Sequence, residues 1–175
     1  VSVEYNFFDS DPKQRVHAIF LNMAKEVSKG SPDPSTKVGS VLVKDGIPIG
    51  TGFNRFPKGC CQDDEIYADR PRKYLRILHA EENAILNALA NKWDVEDSVL
   101  YVWPPSSGPC CSICARMIIE LNIGLLVYPI AENEFAERCK QSLAEGLRML
   151  NEAGITSVGV TQDWVEKWMN PISGS

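Results

Sequence analysis

Two short segments concentrate the residue types that do metal chemistry: His79-Ala80-Glu81, and Pro109-Cys110-Cys111-Ser112-Ile113-Cys114. A catalytic zinc ion takes three protein ligands and keeps a fourth position for water. One imidazole and two thiolates meet that count. Cys111 and Cys114 stand in C-x-x-C spacing, which brings both sulfurs to one ion from the first turn of a helix. A helix N-terminus also stabilises thiolate charge there. Glu81 follows His79 by two positions, so it can enter the same pocket without ligating. Water is a poor nucleophile near neutral pH, and a metal that acidifies it beside a carboxylate that carries protons makes a hydrolytic centre.

A lone C-x-x-C also fits a structural zinc ribbon or a redox pair. A structural zinc site wants a fourth protein ligand, and the other histidine, His17, has no partner nearby in sequence. A redox pair leaves His79-x-Glu81 without a role. His-x-Glu followed by Pro-Cys-x-x-Cys is the general signature of zinc deaminases, with Glu as acid/base rather than ligand. The chemistry accounts for the residue types. As hydroxide adds, the ring nitrogen must gain a proton, and the departing amine must gain one to leave as ammonia. One carboxylate can shuttle both.

The elements that position these residues follow from apolar spacing. Val16, Ile19, Phe20, Met23 and Val27 predict a helix over Asp11 to Lys29, capped by Ser10 or Asp11 and stopped by Gly30 and Pro32. Lys37 to Val43 and Ile47 to Phe53 predict two strands, joined as a hairpin at Asp45-Gly46. A polar loop runs from Asn54 to Asp64. A helix is predicted from about Arg70 to Ala90, with Leu75, Leu78, Ile85, Leu86 and Leu89 as core candidates. Strands at Val99 to Val102, Ile123 to Tyr128 and Ile155 to Val160 alternate with helices at Ser112 to Leu121, Asn133 to Asn151 and Asp163 to Met169. Such alternation predicts one three-layer α/β/α domain over 1–175, with a mixed five-stranded sheet whose later strands are parallel.

Composition narrows the partners. The chain has 175 residues, 44% hydrophobic and 23% charged, with net charge -5. That balance opposes non-specific binding of nucleic acid, which needs a basic face, and leaves a small molecule as the expected ligand. No stretch reaches the roughly 20 apolar residues of a membrane span, and Val1 to Ser10 lacks the pattern of a signal peptide. Adjacent cysteine pairs at 60–61 and 110–111 are unlike a secreted disulfide framework. The expected location is cytoplasmic.

With these residues assembled, the chain resembles the deoxycytidylate (dCMP) deaminase family of the zinc-dependent cytidine deaminase superfamily. The likeness runs from about Val16 to Val127. It includes Thr36-Lys37-Val38-Gly39, Gly52-Phe53-Asn54-Arg55-Phe56-Pro57-Lys58-Gly59, Arg72-Lys73-Tyr74, His79-Ala80-Glu81-Glu82-Asn83-Ala84-Ile85, Leu100-Tyr101-Val102 and Cys111-Ser112-Ile113-Cys114-Ala115. The resemblance implies that His79, Cys111 and Cys114 hold Zn2+ and that Glu81 shuttles protons. It also implies that Asn54 and Ala80 contact substrate, that the reaction is dCMP to dUMP, and that the protein is a homo-oligomer (hexamer or dimer) regulated by dCTP and dTTP.

Three features depart from the family pattern. Cys110 stands between Pro109 and the expected ligand, Pro104 to Pro109 is longer than the usual link, and Arg55 replaces the glycine of an effector-site Asn-Gly. Cys111 is preferred to Cys110 because it keeps the spacing to Cys114-Ala115. Arg55 leaves two readings open: effector control is lost, or its guanidinium meets a phosphate. Lys58, Arg72 and Lys73 are further candidates for phosphate or effector contacts, within a basic stretch that includes Arg70 and Arg76. Cys60 and Cys61 are read as free thiols rather than a second zinc site, Trp103 as stacking on the pyrimidine or packing in the core, and Cys139 as a small buried apolar residue. Alternative substrates are dCTP, a nucleoside or a base such as guanine. A tRNA adenosine deaminase fits the acidic chain less well. A catalytically silent nucleotide sensor is the reading from another class.

Overall fold

The structure is a computed structural model and describes residues 11–170. The proposed cap at Ser10, the segment Val1 to Ser10 and residues 171–175 lie outside the described residues. Five strands form one sheet in the order β2-β1-β3-β4-β5. They are β1 (Gly39–Lys44), β2 (Ile47–Phe53), β3 (Val99–Trp103), β4 (Leu125–Pro129) and β5 (Thr156–Val160). β1 is antiparallel to both β2 and β3, whereas β3, β4 and β5 run parallel. The hairpin turns where expected: Asp45 and Gly46 both take positive φ, 51° and 77°, the backbone that Asp-Gly supports.

Both faces of the sheet are covered, and the period of two sorts the core. Val41, Val43, Tyr101 and Val127 face α1 (Asp11–Ser28) and α7 (Gln162–Met169). Leu42, Leu100, Val102 and Leu126 face α4 (Ala80–Ala90), α5 (Ser112–Glu120) and α6 (Glu134–Glu152). The expected three-layer α/β/α arrangement with a mixed five-stranded sheet is therefore what the chain adopts.

Two expectations need correction. The helix predicted over Arg70 to Ala90 is two helices, α3 (Arg70–Tyr74) and α4, preceded by a short α2 (Asp64–Ala68). Between α3 and α4, Leu78 pairs with Arg55 in an isolated bridge, and His79 is extended at φ -72°, ψ 158°. The break turns Leu75 out to 89% exposure, and Leu86 and Leu89 are also exposed; Ile85 is fully buried. In α1 the helix is present but its inner face is Ala18, Leu21 and Ala24, while Val16 and Ile19 are exposed.

α4 lies directly on β2. A side chain at Gly52 would place its Cβ 2.3 Å from the Ala84 nitrogen and 2.6 Å from the Ala80 oxygen. Asn83 and Asn87 donate their side-chain amides to the Phe53 and Thr51 carbonyls at 3.0 and 3.1 Å. These contacts fix the helix that carries His79 and Glu81. Among the described residues, no helix is long and apolar enough to cross a membrane.

Candidate metal centre and active-site cleft

Two helix starts converge. His79 is the N-cap of α4 and Cys111 the N-cap of α5, both in extended backbone. The Glu82 carboxylate accepts the His79 backbone N–H at 3.0 Å, which caps α4 and leaves the imidazole free to turn toward α5. His79 Nδ1 lies 3.2 Å from Cys111 Sγ and 3.3 Å from Cys114 Sγ, and the two sulfurs are 3.6 Å apart. Zinc bonded to one nitrogen and two sulfurs sets ligand separations of about 3.5–3.8 Å in a tetrahedron. The observed triangle approaches one face of it, and the donor set fits zinc. Among the described residues this is the one group of three or more such side chains with the spacing to hold an ion. Cys110 is buried in the core cluster and borders the floor of the active-site cleft, but the sulfur that meets His79 is that of Cys111.

The electrostatics of the metal-free site follow from this crowding. The hydrogen bond with Cys114, opposed by burial and aided by His79, lowers Cys111 to about 4. The same contact and burial push Cys114 well above the ordinary thiol value. Burial opposes charge on His79, but the Cys111 hydrogen bond and charge, with Glu81 and Glu82, prevail and raise it to about 9. A divalent cation takes the place of the protons on such groups. Glu81 is buried, and burial with the Cys111 charge raises its carboxyl to about 7. A carboxyl in that range is suited to giving and taking protons near neutral pH.

His79, Ala80, Glu81 and Cys111 share one cleft of about 300 Å³ with Val38, Val102, Ile113 and Phe135, the lower end of the range for small-molecule sites. Asn54 lines it too. Its amide oxygen accepts the Val38 N–H at 2.8 Å, and its nitrogen donates to the Thr36 carbonyl at 2.9 Å and to Asp33 at 3.2 Å. Lys73 lines the cleft as well and is buried against Asp33 at 2.5 Å, also donating to Ser35 at 2.8 Å. Arg55 does not line the cleft; its guanidinium donates to the Phe56 carbonyl at 2.9 Å and to Asn83 at 3.3 Å. Lys58 and Arg72 are exposed and lie outside the lining.

Trp103 does not line the cleft and packs in the cluster on the α1 face, with Lys25 Nζ 5.2 Å from its ring centre. His17 is on that face too, 2.8 Å from the Tyr101 hydroxyl. Cys60 packs near Phe56, Ile66 and Tyr67, and Cys61 is exposed. Cys139, expected to be buried and apolar, is half-buried on the cleft wall. Sequence reasoning missed Arg138, which enters the cleft from α6 and donates to Thr36 Oγ1 at 2.9 Å. It follows Cys114 by 24 positions, and an amphipathic helix gives no local sign of which charge faces a site.

Residues 14–130 match the sequence model of the cytidine and deoxycytidylate deaminase zinc-binding region. The chain is 37% identical over 136 residues to an uncharacterized deaminase in the luxG 3′ region of Aliivibrio fischeri, covering 78% of this chain and 87% of that one. It is 31% identical over 149 residues to a probable deoxycytidylate deaminase of Caenorhabditis elegans, covering 81% and 71%. The fold matches that of the cyanophage S-TIM5 dCMP deaminase solved in complex with dCMP and dUMP, at TM-score 0.63 and 20% identity over 86% of this chain and 99% of that one. By its matched sequence and by its relatives, the chain belongs to the cytidine and deoxycytidylate deaminase family, within the dCMP deaminases.

Proposed function

We propose that the protein is a zinc-dependent hydrolase that converts dCMP and water to dUMP and ammonia. The observation that carries this reading is the convergence of His79, Cys111 and Cys114 on one wall of a cleft that also holds the buried Glu81. His79 Nδ1 and the two sulfurs are the zinc ligands. Zinc held there supplies a Lewis acid that acidifies water near neutral pH. Glu81 would take one proton from water and pass it to the ring nitrogen, then take the second from the added hydroxyl and give it to the departing amine, which leaves as ammonia. Burial, with the Cys111 charge, raises the Glu81 carboxyl above its ordinary value in the metal-free site, the direction that suits a proton carrier.

The cationic side of the cleft supports a nucleotide over a nucleoside. Arg70, Lys73 and Arg138 line it, but Lys73 is balanced by Asp33. Arg138 donates to Thr36 Oγ1, and its carboxylate neighbour among the described residues is the fully exposed Glu134 at 4.0 Å, so its guanidinium is a better partner than Lys73 for a 5′-phosphate. Ammonia release from zinc-replete protein offered dCMP, dCTP, deoxycytidine and guanine in parallel tests the reading. Clear preference for dCMP is expected. Equal turnover of deoxycytidine removes the phosphate from recognition, and preference for dCTP or guanine replaces the substrate. Silence of the zinc-bound protein on all four points to a missing activator or to a nucleotide-sensing role, which repeating the assay with dCTP added separates.

A further inference from the structure

The helix that carries Cys111 and Cys114 has an unusual start. A helix N-cap side chain normally accepts one of the free N–H groups of the first turn. Cys111 is the N-cap of α5 and makes no such bond, because its sulfur faces His79 and Cys114. The missing acceptor comes from α6: the Ser112 N–H donates to Ser142 Oγ at 3.2 Å, and the two hydroxyls are 3.1 Å apart.

One turn further along α6, Gly146 meets the same loop. A Cβ there would lie 2.3 Å from the Cys110 carbonyl oxygen, 2.9 Å from the Cys111 carbonyl carbon and 3.1 Å from its oxygen. All three are backbone atoms, which cannot swing aside as a side-chain tip can. Glycine inside a helix costs about 1 kcal/mol relative to alanine, so its presence here marks a close approach. Leu143, between them, closes on Gly108 with a Cβ separation of 3.1 Å for any side chain added there. The segment 108–112 is thus pinned by three residues of one helix face.

We infer that Ser142 and Gly146 are positioning residues for the metal centre, and that they set which of two adjacent cysteines serves it. Holding the Cys110–Cys111 peptide against Gly146 points Cys110 into the core and Cys111 toward His79. The inference rests on the zinc reading above but concerns residues beyond the 14–130 span of the family match.

Zinc affinity of the full chain, measured by competition with a chromophoric chelator, tests it without reference to turnover. Outer residues that orient a ligand change metal affinity by roughly 10–100-fold. Ser142→Ala is expected to lower affinity by about 10-fold and Gly146→Ala by about 100-fold. Ser142→Thr, which keeps the hydroxyl, retains most of the affinity. Cys110→Ala leaves affinity unchanged in the wild type but lowers it further in the Gly146→Ala background, where the displaced peptide lets Cys110 compete. Should Gly146→Ala fail to fold, the Ser142 pair decides. Wild-type affinity in folded Ser142→Ala and Gly146→Ala overturns the inference and leaves the zinc reading intact. Absence of zinc binding in the wild type overturns both.

Discussion

At the scale of single residues, two neighbouring cysteines differ in what surrounds them. Cys111 Sγ meets His79 and Cys114, whereas Cys110 sits in the core. Cys111→Ala should therefore abolish zinc retention through gel filtration. Cys110→Ala should keep the metal and lose only about 1 kcal/mol of stability, as a small core truncation does. Metal analysis of the two variants decides, and the reverse pattern contradicts the assignment. Arg138 offers a second test. Removing a charged hydrogen bond costs about 1.5–3 kcal/mol, so Arg138→Ala should lower kcat/KM for dCMP by roughly 10- to 150-fold and leave deoxycytidine nearly unchanged. An equal loss on both substrates means that the arginine does not read the phosphate. That His79, Cys111 and Cys114 come together was legible in the sequence because each of the two motifs that carry them is short and local. Arg138, Ser142 and Gly146 were not, since they reach the site only through the packing of α6, although a glycine inside an amphipathic helix was a sign to follow.

Between elements, the strongest tie near the cleft is the buried pair of Lys73 on α3 and Asp33 in the loop before β1. Burial alone would raise the Asp33 carboxyl, but hydrogen bonds from Lys73 and Ser35 outweigh it and hold it below its ordinary value. A depressed carboxylate contributes stability above its unfolded pKa, near 4, and loses it as pH falls through the folded value. Melting temperature should thus fall more steeply from pH 5 to pH 3 in the wild type than in Asp33→Asn; equal slopes contradict the pairing. Lys73→Met leaves a buried carboxylate unpaired and should cost about 3–5 kcal/mol at neutral pH, read by chemical denaturation. The five strands, the Asp45-Gly46 hairpin and the alternation of later helices and strands were legible from period and turn chemistry, whereas the order of the strands in the sheet was not. The break between α3 and α4 was not, because the apolar period continues across it with no glycine or proline. It is imposed by the Arg55–Leu78 bridge and by the turn of His79 toward α5. In α1 two apolar stripes compete, and the small residues Ala18 and Ala24 take the inner face because they let the helix approach the sheet.

For the whole molecule, two packed layers of side chains lie either side of the sheet; Cys114 belongs to one of them, but its other members are almost all aliphatic or aromatic, so the layer does not depend on a metal for its packing. Chelation should therefore lower the melting temperature by mass action, since zinc binds the folded state, while far-UV circular dichroism stays native-like. Loss of the native spectrum on chelation contradicts a catalytic site and indicates a structural one. Val16 and Ile19 on α1, and Leu86, Leu89 and Trp93 near the end of α4, leave apolar side chains exposed. We expect these faces to be covered in a homo-oligomer; sedimentation at micromolar concentration reads this, and a monomer contradicts it.

The most direct test of the central claim compares ammonia release from dCMP by wild-type protein and Glu81→Gln, each with its zinc content measured. Both should hold one zinc per chain. The wild type should turn over dCMP, and the variant should lose at least about a hundredfold, as removal of a general acid/base does. Wild-type turnover by zinc-loaded Glu81→Gln contradicts Glu81 as the proton shuttle, and no turnover by the zinc-loaded wild type contradicts the assignment of this cleft to dCMP deamination.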